Sequence, residues 1–202
     1  MTKKDPLVYN NITYASTEEV DFQKFLNECT KHGLISENTY QPSSYIITPK
    51  SFRYATKRFK TKPDRREERT LFQQHVYTPD WEIVLTPKFF EVFPKHKLLL
   101  SNVNSTVPDP VDSNFKGTGI CLIDVKGSWN LHGGDRIFPI HQKLMWSVHR
   151  VLVNKVVPQM FFKRLGVVPN DVKWMQNRKQ KTPKKAYQFV DTFEDMVNKS
   201  LL

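Results

Sequence analysis

Ile120-Cys121-Leu122-Ile123-Asp124-Val125-Lys126-Gly127 is an apolar strand ending in Asp-x-Lys. Upstream, Tyr77-Thr78-Pro79-Asp80-Trp81 sets a second aspartate behind a proline, at the head of the apolar run Trp81-Glu82-Ile83-Val84-Leu85. Successive side chains of a strand point to opposite faces, so Asp124 and Lys126 share one face while Ile123 and Val125 pack on the other. Two carboxylates and a lysine at strand ends are the groups that metal-dependent phosphodiester cleavage uses. The carboxylates hold a hard divalent cation, Mg²⁺ or Mn²⁺. The lysine orients an attacking water or offsets charge building on the phosphate. Pro-Asp alone is an ordinary turn, and a charged residue at a strand end is equally common. Their order, apolar flanks and the glycine that follows carry the reading.

The remaining composition sets bounds. A chain of 202 residues with 39% hydrophobic and 12% aromatic residues buries one domain's core. The excess of 31 Lys and Arg over 20 Asp and Glu, a net charge of +11, points to an anionic partner, a nucleic acid before a membrane. No run approaches the roughly 20 apolar residues of a membrane-spanning helix, and Met1-Thr2-Lys3-Lys4-Asp5-Pro6 lacks the apolar stretch of a secretory leader. Cys29 and Cys121 are expected as buried free thiols in a reducing, cytoplasmic setting. No Cys/His spacing suits structural zinc.

Along the chain, residues 7–14 read as a short strand or a hairpin turning at Asn10-Asn11. Ser16 caps a helix to about His32, with Phe22, Phe25, Leu26 and Cys29 as its apolar stripe and Gly33 as its stop. Residues 44–48 are extended. Between Lys50 and Arg69, nine Lys and Arg face three acids, with Phe52, Tyr54 and Phe59 interleaved. Residues 72–77 and 81–85 read as strands in a hairpin-like arrangement around the Pro79-Asp80 corner. Residues 86–118 read as an insertion, with a strand at Phe89, Phe90, Val92 and Phe93, another at 98–100, and a loop over 102–119. After a loop at 128–135, Pro139 opens a helix to about Leu152 whose core face is Ile140, Leu144, Val148, Val151 and Leu152. A short strand follows at 153–157. The tail, 158–202, carries a second basic run at 173–185 and a terminal amphipathic helix over about 191–202 built on Phe193, Met196, Val197 and Leu201.

Helix, strands, Asp, Asp-x-Lys strand and helix, in that order, resemble the PD-(D/E)xK nuclease superfamily. The resemblance spans residues 7–157 apart from the insertion. Tyr77-Thr78-Pro79-Asp80 with Val125-Lys126-Gly127 is most similar to phage endonuclease I, the Holliday-junction resolvase family. The opening Ile12 to Glu19, with Gln41-Pro42 downstream, is similar to small phage and prophage nucleases. The resemblance implies an α/β fold, a restriction-endonuclease-like mixed sheet flanked by helices. It implies Asp80 and Asp124 as metal carboxylates, Glu19 as the helical acid, the Val125 carbonyl as a further ligand and Lys126 as the catalytic lysine. It also implies that Gln142 and Lys143 aid the site or touch DNA. The expected activity is Mg²⁺-dependent endonuclease cleavage of branched DNA, by a homodimer, in the cytoplasm of a bacterial host for a phage or mobile element. A duplex endonuclease of restriction or repair type, and an inactive DNA-binding protein of the same fold, are the alternatives.

Two assignments stay open. Ser16-x-x-Glu19 is also a capping box, and Glu18 lies nearer the centre of the apolar stripe than Glu19. The basic segments are solvated surface or DNA contacts; the DNA reading takes Lys50, Arg53, Lys57, Arg58, Lys60, Lys62, Lys184 and Lys185 as phosphate ligands. His132, His141 and His149 are read as surface or helix residues, and Gly133-Gly134 lacks the Lys-Ser/Thr of a phosphate loop.

Overall fold

The computed structural model describes residues 7–93, 120–127, 137–169 and 191–200. The expected strand at 98–100, the loops at 102–119 and 128–135, His132, and the basic run at 173–185 with Lys184 and Lys185 lie outside them.

Strands β1 (Leu7–Tyr9) and β2 (Ile12–Tyr14) form the expected hairpin. Asn10 and Asn11 take φ of 50° and 62°, the left-handed pair a two-residue turn demands. Helix α1 (Thr17–Lys31) starts at Ser16, whose side chain accepts from the Glu19 amide, and Gly33 follows it at φ 70°. The stripe Phe22, Phe25, Leu26 and Cys29 is wholly buried, as the spacing predicts.

A four-stranded mixed sheet forms the centre. In spatial order it runs β10 (Val153–Val156), β9 (Ile120–Val125), β8 (Trp81–Leu85), β3 (Ile35–Tyr40). β3 and β8 are antiparallel, as are β8 and β9, whereas β9 and β10 are parallel. Parallel neighbours need a crossover, and α3 (Phe138–His149) lies in that connection. The alternation of β9 divides two cores. Cys121, Ile123 and Val125 join α1 and α4 (Pro158–Leu165) on one face, while Leu122 joins Phe138 and Met145 of α3 on the other. Both cysteines are buried, and neither is in a disulfide. No described helix is long and apolar enough to cross a membrane.

Four expectations change. Residues 87–92 form helix α2 (Pro87–Val92), not a strand, because Pro87 fixes the first helical turn. α3 ends at His149, with Arg150 left-handed at φ 60°, short of Leu152. Its buried side is Phe138, Gln142 and Met145, whereas Ile140 and Val148 are exposed. Residues 72–77 and 81–85 form no hairpin. β7 (His75–Tyr77) pairs with β4 (Tyr45–Thr48), and β8 pairs in the central sheet, so the chain changes sheets across the proline corner.

Residues 42–79 therefore form an arm that leaves and rejoins the sheet between β3 and β8. Its ends meet where the Gln41 amide donates to the Asp80 carbonyl at 2.7 Å. β4 and β7 rest on the α3 side through Ile47 and Tyr77. Beyond them β5 (Ser51–Lys57) and β6 (Arg65–Phe72) form a separate antiparallel ribbon. Helix α5 (Phe193–Ser200) packs on the chain's own core, its Phe193 against Phe25, Phe93 and the His32 ring. Phe161, Phe162, Leu165 and Val197 belong to that core too.

Candidate functional site

The corner at Pro79 delivers Asp80 to the sheet. Trp81 pairs with Ile123, so one step further along the antiparallel register Asp80 stands opposite Asp124. The Val125 amide donates to Asp80 Oδ2 at 2.6 Å, so the carboxylate continues the ladder past the end of β8. An extended residue's N–H and C=O leave the same edge of its strand. The Val125 carbonyl therefore also points toward the Asp80 side.

Asp124 is buried, and Tyr77 donates to its Oδ1 at 3.0 Å. Lys126 forms an ion pair with its Oδ2. Beyond that ammonium, the buried Oδ2 has no hydrogen-bond partner among the described residues. Asp80, Asp124 and Lys126 are thus brought together at one end of the sheet.

The electrostatics match this crowding. Burial and the neighbouring Asp124 charge raise the Asp80 carboxyl to about 7, against the opposing pull of Lys126 and the Val125 amide. Burial, then Asp124, pushes the Tyr77 hydroxyl well above its ordinary value, so it stays a donor.

Glu19 is buried on the neighbouring α1 turn. Its Oε2 accepts from Tyr40 at 2.8 Å and from the Ala15 amide at 3.1 Å, and the Ser16 hydroxyl donates to Oε1 at 3.2 Å. The capping role is real, and the Glu19 charge still reaches Asp80. Glu18 lies near the other flank: its Oε1 is 3.4 Å from where a Cβ on Gly127 would sit. Glu18 thus borders the Asp-x-Lys turn, and Glu19 lies within electrostatic reach of Asp80.

Among the described residues no three His, Cys, Asp or Glu side chains form a ready-made metal cage. The donor set at Asp80 and Asp124 nonetheless fits Mg²⁺. That ion takes one or two carboxylates and keeps several waters. Two apposed carboxylates, one raised by the other's charge, are a pair that a dication would relieve.

Several other side chains are placed by the fold alone. The rings of His75 and His141 lie 5.0 Å apart, and those of Tyr77 and His141 4.9 Å apart, beside Asp124 on the α3 face. Burial, then His75, lowers the His141 imidazole from its ordinary value. Lys155 pairs with Asp124 in the parallel register, which sets it on the same sheet face. Tyr77 sits in the deciding stretch, yet its role depends on a partner 47 residues away. His141 and Lys155 left no local signal.

Of the expected DNA contacts, Lys50, Arg53, Lys57, Arg58, Lys60 and Lys62 all lie exposed on the ribbon or its turn. Lys143 is exposed on α3. Gln142 is buried instead, and its amide donates to the Val153 carbonyl at 2.7 Å. It ties α3 to β10 and faces no solvent-borne ligand. Family models, curated proteins and solved structures contain no match to this chain.

Proposed function

We propose that the protein is a metal-dependent endodeoxyribonuclease of the PD-(D/E)xK type that cuts branched DNA. One observation carries the reading: Asp80 and Asp124 face each other across adjacent strands, with Lys126 on the Asp124 carboxylate. The strand order β10-β9-β8-β3, with one helix before it and one in the parallel crossover, supports it. So does the net charge of +11.

Asp80, Asp124 and the Val125 carbonyl would hold Mg²⁺ or Mn²⁺, with Glu19 or Glu18 bordering the site. When bound, the ion supplies Lewis-acid stabilisation of the phosphate and a water of lowered pKa. Tyr77 fixes the Asp124 rotamer by donating to Oδ1, which leaves Oδ2 for Lys126 and the ion. The Lys126 ammonium donates toward the nucleophilic water and places positive charge beside the phosphate oxygens as negative charge grows there. In-line attack leaves a 5′-phosphate and a 3′-hydroxyl. Symmetric cutting of a four-way junction needs two such sites, so the active species is a homodimer. The same chemistry suits a phage or mobile-element product working in a bacterial cytoplasm.

The test uses a labelled four-way junction and a linear duplex of matched sequence, each with Mg²⁺ and with EDTA. Paired, Mg²⁺-dependent nicks near the branch are expected. Lys126→Ala should cut at least about 100-fold more slowly, the cost of one lost transition-state donor, while binding nearly as well. Equal cutting of both substrates would convert the reading to a duplex endonuclease. Tight, salt-sensitive binding without cutting would leave an inactive DNA-binding protein.

A further inference from the structure

The β5–β6 ribbon has two chemically different faces. Its register pairs Phe52 with Thr70, Tyr54 with Glu68 and Thr56 with Arg66. The alternate pairs are Arg53 with Arg69, Ala55 with Glu67 and Lys57 with Arg65. Cross-strand partners share a face, so one face carries Phe52 and Tyr54 and the other carries Arg53, Lys57, Arg65 and Arg69. Glu67 is the one acid on that cationic face among the paired residues. It lies 3.6 Å from Lys57 and 3.9 Å from Arg69.

The rings are in solvent: Phe52 is 47% and Tyr54 60% exposed. Each already has a cation on it. The Lys50 ammonium is 5.0 Å from the Phe52 centroid, and the Arg66 guanidinium 4.2 Å from the Tyr54 centroid. A lone two-stranded ribbon is marginal in water, and exposed rings on it gain nothing from solvent. A ring beside a cation is complementary to a nucleotide, with the base on the π-face and the phosphate on the charge. Base faces are hidden inside an intact duplex and open only where bases are unstacked. The ribbon is joined to the site through β7, which carries Tyr77 and leads to Asp80. At about 3.3 Å per residue its strands extend roughly 23 Å beyond the β4–β7 pair.

We propose that this ribbon grips unpaired nucleotides. Phe52 and Tyr54 stack on bases while Lys50 and Arg66 beside the rings hold the adjoining phosphates, and the opposite face, with Arg53, Lys57, Arg65 and Arg69, meets the duplex backbone. The inference rests on the nuclease reading and narrows its substrate to DNA with unstacked bases near the cut.

The full chain is titrated with a blunt duplex and with the same duplex bearing a single-stranded tail that contains fluorescent aminopurine. Wild type should prefer the tailed DNA and quench the fluorophore. Phe52→Ala with Tyr54→Ala should lose about tenfold per ring on the tailed DNA, with little change on the blunt one. The ring-keeping pair Phe52→Tyr and Tyr54→Phe, a control for folding, should restore the preference. Arg53→Ala with Lys57→Ala should weaken both substrates alike and reduce the salt slope by about two. Unchanged fluorescence on binding, or equal losses of the ring variant on both substrates, would overturn the proposal. So would an oligomer that the ring variant breaks into monomers with DNA affinity intact, because the rings would then face a second copy. Mg²⁺-dependent cutting with unaltered substrate preference in the ring variant sinks this inference alone. Absence of any DNA binding sinks the nuclease reading with it.

Discussion

Asp80 is a carboxylic acid placed where a backbone carbonyl would otherwise continue a β-ladder, and its charge is costly there. Burial and Asp124 raise it from 3.8 to about 7, and burial does the same to Asp21 on α1. A carboxyl whose folded pKa exceeds its unfolded value favours folding in its protonated form. That contribution is complete below about pH 4 and is lost as pH rises through about 7. In EDTA, Asp80→Asn should therefore melt several degrees above wild type at pH 8, and the gap should close by about pH 4. Added Mg²⁺ should raise the wild-type melting temperature at pH 8 and leave that of Asp80→Asn nearly unmoved. Scanning calorimetry at the two pH values checks both, and a constant gap between them would remove the linkage. The positions of Asp80 at the head of β8 and of Asp124 and Lys126 at the end of β9 were readable in the sequence because turn chemistry and strand alternation are local rules. Tyr77, His141 and Lys155 were not, because their positions follow from pairings between segments far apart in the chain.

Elements were legible where their signals agreed. α1 has a cap, a clean apolar stripe and a glycine stop, and it forms where the spacing places it. α3 is legible as a helix, and its expected face is met in part, since Leu144 and Val151 pack against the core. Ile140 and Val148 are apolar yet exposed, while the polar Gln142 is inside, serving the Val153 carbonyl. Apolarity alone misleads when a helix docks on a strand whose outer carbonyl needs a donor. Gln142→Ala should accordingly cost about 1–3 kcal/mol, the penalty for leaving that buried acceptor unpaired, whereas Ile140→Ala should cost under about 0.5 kcal/mol. Urea denaturation of the two variants gives the comparison, and equal losses would return Ile140 to the core. The short aromatic run of α2 suits a strand and a helix equally, and Pro87 is what commits it to a helix.

At the scale of the molecule, Trp81 joins the site to the core. Its ring is fully buried, edge-on to Phe22 at 5.3 Å and 4.9 Å from Tyr40, and its indole donates to Gln23 at 3.1 Å. Trp81→Ala should lose about 3–5 kcal/mol, read as a shifted urea midpoint. Trp81→Phe should keep the packing and strand Gln23, costing about 1–3 kcal/mol. The α/β class could be read from the sequence. The arm could not, since its basic stretch shows in composition while its pairing and its return beside Gln41 are tertiary facts. That return has a consequence for ancestry. An excursion that departs and comes back across one hydrogen bond can be exchanged for another without shifting the strands on either side. Descendants of this chain are free to trade one arm for another, provided that the replacement brings back a hydroxyl for Asp124 and the apolar cover that Ile47 and Tyr77 give the α3 side.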